Sequence, residues 1–160
     1  LLAAEANGNP SRQQLALRYA SHIGVSPKDL LTDPDGEASL DQIEDLEKAF
    51  FALFAKPDPC HPGEIFYFLK NYQREKEQLS FLLRLLRIYL TDLLNLSVNP
   101  EAQLHYPHHS QAYQSFSASS DQLLQAIAFV QTASQRIDAN VDPYLVLATC
   151  LAQVGQTLRS

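Results

Sequence analysis

"FLLRLLRIYLTDLLNLS", residues 81–97, is apolar almost all the way round, yet it keeps two arginines and an aspartate. On a helical wheel Ser80, Arg84, Arg87, Thr91 and Asn95 follow one another at spacings of four, three, four and four, which is a single narrow polar stripe. Everything else except Asp92 is suited to contact with protein. A helix of this kind is wrapped by neighbours on most sides, so the segment predicts the central helix of an all-α bundle. Its one polar stripe faces either water or another chain. Asp92 lies off the stripe beside Leu93 and Leu94, where a partly buried carboxylate requires a partner. A neighbouring helix end or an arginine from elsewhere in the chain would supply one.

Outward from this helix the periodicity stays helical, and no segment alternates with the Val, Ile and Thr enrichment of a strand. The expected fold is a compact bundle of about six to seven helices. A first helix is expected over Ser11–Ile23, with Leu15, Leu17 and Tyr19 as apolar positions and Gly24 as the stop. "SPKDLLTDPDGEAS" reads as a loop with one helical turn at most. Ser39 is placed to cap a second helix, "LDQIEDLEKAFFALFAK", whose Leu40, Ile43, Leu46, Phe50, Leu53 and Phe54 form one stripe. "PDPCHPGE" then breaks the helix. "EIFYFLKNYQ" begins a third helical stretch, bent or broken near Gln73 before the helix quoted above.

Beyond the two-proline loop "SVNPEAQLHYPHHS", a weaker helix is expected through "QAYQSF". Ser119 or Ser120 caps the next, with Leu123, Leu124, Ile127, Val130 and Ile137 mainly on one side. The junction after it is the sharpest local signal in the chain. Asn140 is placed to end one helix, Asp142 to cap the next and Pro143 to fill its first position. No segment recurs at the period of a solenoid.

A chain of 160 residues is one domain's worth and buries about 70% of its unfolded surface. Its net charge of -6, with only 12 lysines and arginines, argues against direct contact with nucleic acid. The absence of a long apolar run argues against a membrane span, and the N-terminus lacks the charged-then-apolar order of a signal peptide. The expected location is cytoplasmic. Cys60 and Cys150 are the only cysteines, and their settings point to two reduced thiols rather than a disulfide framework. The chain has no Met and begins "LLAAEANGNP", so it reads as a processed product or a piece of a longer protein.

His105, His108 and His109, together with His61, are of a type that binds zinc, but their spacing matches no established zinc pattern. There is no G-x-S-x-G, no H-E-x-x-H and no phosphate-binding loop among the five scattered glycines. Asp41, Glu44 and Asp45 suit the solvated, dipole-matched start of a helix. No catalytic role, cofactor or metal is expected of this stretch. A metal-dependent helical enzyme built on the histidines would need stoichiometric metal.

Three stretches resemble one family. "AEANGNPSRQQLAL" (Ala4–Leu17) is similar to the Gly-Ser-Pro-Gly-Arg-Ala-Leu element near the end of the second domain of bacterial clamp-loader subunits. "LLRIYLTDLLNLSVNPEAQL" resembles the Arg-Asp-Leu-Leu helix of their C-terminal domain, with Thr91 in place of the arginine. "LLQAIAFVQTASQRIDANVDPYLVLATCLAQV" is similar to that domain's last helical pair, whose Asn-x-Asn-Pro corner here carries Asp142 for the second Asn. The likeness is strongest to the delta-prime family of DNA polymerase III clamp-loader subunits, and it covers about half the chain.

The resemblance implies that residues 1–24 are the end of an ATPase-type lid domain or a first helix, and that residues 25–160 are a helical C-terminal oligomerisation domain. Such domains form a collar with gamma/tau and delta type subunits, while the delta-prime type acts as a stator. On that reading Arg84, Arg87, Thr91, Asn95 and Asp92 form a subunit interface, and Arg12 corresponds to a sensor-like arginine. The other reading compatible with the pattern is a stand-alone α-helical interaction or regulatory module.

Overall fold

A computed structural model of the chain describes Leu17, residues 34–72 and residues 76–159. The chain divides into two compact units, residues 1–48 and 49–160. The domain boundary expected at residues 24–25 lies outside the described residues. So do Arg12, Gln73 and most of the expected helix 11–23, of which Leu17 is helical and exposed.

The described residues are all-α, with no strand among them. They hold five α-helices: α1 (Pro34–Phe54), α2 (Pro62–Leu69), α3 (Lys76–Val98), α4 (Ser120–Asp138) and α5 (Pro143–Arg159). Two sequence expectations are corrected. The segment preceding Ser39 is helical from Pro34 rather than a loop. Proline costs least at a helix start, where its missing N–H has no partner to lose. The "QAYQSF" helix is instead a short 3-10 turn over Ala112–Gln114, preceded by another over Pro107–His109. Its amides bond three residues back, Tyr113 N to Ser110 O and Gln114 N to Gln111 O. The Ala112 carbonyl accepts the Tyr89 hydroxyl at 2.7 Å.

Within the unit 49–160, α4 packs against both α3 and α5, and α5 also packs on α2 and α3. The seam of α4 is Leu123, Ala126, Val130, Ala133 and Ile137, at spacings of three, four, three and four. Leu124 was expected on this side and is exposed. One residue on from Leu123 it sits about 100° round the helix, and the two alanines let the neighbouring helices approach instead. α3 buries ten residues, including Leu82, Leu86, Tyr89 and Leu90, as expected of a central helix.

The helix ends follow the local chemistry of the sequence. His61 caps α2 by accepting the Gly63 amide at Nδ1, 3.1 Å away, with Pro62 in the first helical position. Ser119, rather than Ser120, caps α4 in a complete capping box with Gln122. At the α4–α5 corner Val141 N bonds Arg136 O and Asn140 N bonds Ile137 O, so the terminal carbonyls are satisfied by a Schellman arrangement. Asn140 takes φ 63°, and Asp142 Oδ1 accepts Tyr144 N at 3.0 Å ahead of Pro143. Replacing Asn140 by glycine should leave the urea midpoint unchanged or raised. Asn140→Val should cost about 1–2 kcal/mol, because a β-branched side chain resists the left-handed conformation.

Candidate functional site

The stripe on α3 lies at the surface. Arg84, Arg87 and Asn95 are exposed and Ser80 and Thr91 half-buried, while the positions between them are mostly buried. The Thr91 hydroxyl bonds back to the Arg87 carbonyl at 2.8 Å, which fixes it along the helix. The result is a rigid polar ridge on an element that cannot move without disturbing the core.

Asp92 points the other way. It has 0% exposure, and its carboxylate is enclosed by the chain that follows α3. Oδ2 accepts the Tyr113 hydroxyl at 2.7 Å and the His105 amide at 3.0 Å, and Oδ1 lies 2.6 Å from His105 Nδ1. Among the described residues its partners are thus a histidine, a tyrosine and a backbone amide, and Asp92 offers nothing to an outside surface. Protonated, His105 completes an ion pair with Asp92 while its own side chain stays 58% exposed. Burial, reinforced by the bond to the Asp92 carboxylate, pushes the Tyr113 phenol far above its ordinary range. Tyr113 therefore stays a proton donor to Asp92.

Around this carboxylate is an aromatic cluster. Tyr89 stacks on Tyr113 at 5.4 Å, and Phe51 stacks on His109 at 4.3 Å with the rings 5° from parallel. Tyr106 lies 4.7 Å from Phe51, and Phe54 4.6 Å from Tyr89. The described histidines thus have structural settings: His61 caps a helix, His105 serves Asp92, and His109 stacks on Phe51 with the His108 ring 4.2 Å from its own. No group of three or more metal-type side chains is assembled among the described residues.

Cys60 and Cys150 are free and buried, and burial pushes both thiols up to about 12. Both remain protonated at neutral pH, so neither is a ready nucleophile. Cys60 is pressed against α5 at Gly155, and Arg159 ties the turn down through its ion pair with Asp58 and its bond to the Gly155 carbonyl at 3.0 Å.

A cleft of about 190 Å³ opens between the end of α3, the segment Tyr113–Ala118 and the start of α4. Leu93, Leu96, Tyr113, Phe116 and Leu123 give it apolar walls, and Ser97 adds a hydroxyl held 3.0 Å from that of Ser120. Sequence reading missed this cleft, because its walls come from three segments that share no periodic pattern. No described helix is long and apolar enough to cross a membrane. No protein-family model, curated protein or solved structure matches the chain.

Proposed function

We infer that this chain is a non-catalytic subunit-assembly domain, the collar domain of a delta-prime-type subunit of a bacterial DNA polymerase III clamp loader, supporting loading of the sliding clamp in DNA replication. The observation that carries this reading is the setting of α3: the helix with most of its surface in the core presents one ridge, Arg84, Arg87, Thr91 and Asn95, outward. A ridge fixed by its own core transmits position from one subunit to the next without deforming. The capped corner at Asn140, Asp142 and Pro143 supports the same reading, because the sequence motif on which the resemblance is most specific forms a tight helix–helix corner here. Partners on this reading are clamp-loader subunits of the gamma/tau and delta types.

The test is to mix the chain with the C-terminal domains of those subunits from the same organism and to measure mass by size-exclusion chromatography with light scattering. A defined hetero-oligomer is expected. The double reversal Arg84→Glu with Arg87→Glu should weaken assembly by about tenfold or more, since like charges then oppose each other across the contact. Its circular dichroism melt should stay near that of the parent. Absence of association at tens of micromolar, or full assembly of the double variant, would return the chain to a stand-alone helical interaction module.

A further inference from the structure

The ridge on α3 carries two cations and no anion. Arg84 and Arg87 are exposed and lie one turn apart on the same face, and Asn95 continues the line, while the Thr91 hydroxyl is spent on the Arg87 carbonyl. Between Glu77 and Glu101 the only carboxylate in the sequence is Asp92, which is buried and bonded away from the ridge. No acid stands three or four residues from either arginine, the positions from which a helix pairs its own cations. Elsewhere the chain supplies such partners: Lys48 has Glu44, Lys56 has Glu64 and Arg159 has Asp58. On α3 the two arginines instead meet each other at a spacing of three, and like charges so placed weaken a helix.

The charge of the ridge itself names what complements it. A guanidinium presents a planar fork of N–H donors and no acceptor, and the group that matches it is a carboxylate or a phosphate. Phosphate on a nucleic acid is disfavoured, because the chain as a whole carries a net charge of -6. The same ridge of a second copy would set arginine against arginine, so two-fold pairing through this face is disfavoured too. A surface bearing carboxylates relieves the repulsion between Arg84 and Arg87 and gains charge-assisted bonds. From Ser80 to Asn95 the ridge runs along one helix for about 20 Å, and a second helix laid against it stays in contact over that length.

We propose that the α3 ridge docks an acidic helix of a partner protein, whose carboxylates, spaced one turn apart, take the Arg84 and Arg87 guanidinium groups as forked pairs. The proposal rests on the reading of this ridge as a contact surface, and it adds the chemistry of the opposing side.

The test uses the full 160-residue chain, isotope-labelled for NMR, and two helical peptides of about 14 residues. One carries glutamates a turn apart along one face, and the other has glutamines in their place. The glutamate peptide should shift the resonances of Arg84, Arg87 and Asn95, and at low ionic strength should bind about tenfold more tightly than the glutamine peptide. Arg84→Gln with Arg87→Gln should abolish those shifts while the helical spectrum is retained, since both side chains are exposed. Arg84→Lys with Arg87→Lys keeps the charge but not the fork, and should bind several-fold more weakly than the parent. The proposal is overturned by equal binding of the two peptides, by binding that either double variant leaves undiminished, or by no shift at millimolar peptide. If the peptide fails while the hetero-oligomer with clamp-loader domains forms, the acidic-helix proposal falls and the collar reading stands. If the peptide binds as expected and no hetero-oligomer forms, the collar reading falls and the proposal stands.

Discussion

Gly155→Ala should lower the thermal midpoint of the chain by about 6–12 °C, a loss of about 3 kcal/mol, although alanine is the better helix former. Glycine inside a helix gives up about 1 kcal/mol relative to alanine, so a gain would be expected if nothing approached α5 here. The Cys60 turn does approach it. A Cβ built on Gly155 would lie 2.2 Å from the Cys60 Cβ and 3.2 Å from its Sγ. The atom met first is fixed to the backbone and cannot swing aside, so either the turn or α5 must move. The turn is held: His61 N bonds Asp58 O, Arg159 pairs with Asp58, and α2 starts at once behind it at Pro62.

A second substitution separates this account from a general loss of packing. In the Gly155→Ala background, Cys60→Gly should recover most of the stability, less about 0.5–1 kcal/mol for the new glycine's backbone entropy. Cys60→Ala should recover little, because it keeps the offending Cβ. Equal rescue by both would place the clash at sulfur instead.

That contact also shows which kind of information was legible in the sequence. The helices α3, α4 and α5 could be read because each is written as a local period, and the caps at Ser119, Asn140 and Asp142 because each acts on its immediate neighbours. Gly155 carries no such mark: its partner Cys60 is close only after α2 has folded back onto α5. The start of α1 at Pro34 was misread because Pro, Asp and Gly serve a helix's first turn as readily as a loop. The 3-10 turns at Pro107–His109 and Ala112–Gln114 were not legible as such, since what fixes them is Tyr89 and the aromatic cluster on other segments. For the candidate site, the α3 stripe was readable as a face, while the cleft was not. The need of Asp92 for a partner was readable, but the partners lie 13 and 21 residues away in a segment without periodicity.

Those partners set the other large effect. Asp92→Ala should destabilise the chain by about 2–4 kcal/mol, because it removes the acceptor of a buried tyrosine hydroxyl together with two further bonds. The loss is more than that of a carboxylate. The Tyr113 hydroxyl would be left buried without its acceptor, which costs more than the net value of the bond it made, and the part-buried His105 amide would lose its own acceptor. Tyr113→Phe removes one charge-assisted bond and leaves Asp92 with His105, so it should cost about 1.5–3 kcal/mol. Tyr89→Phe removes a neutral bond to the Ala112 carbonyl and should cost about 1 kcal/mol. The double variant of Asp92→Ala with Tyr113→Phe should fall well short of the sum of its parts, because the orphaned hydroxyl is removed together with its acceptor. Urea melts give these energies, and amide exchange locates them. In Asp92→Ala, protection should fall first at His105 and Tyr113, while the α4–α5 seam keeps its protection until global unfolding. A cost below about 1 kcal/mol, or additive losses in the double variant, would mean that Asp92 is not the tie that closes the segment after α3 onto the core.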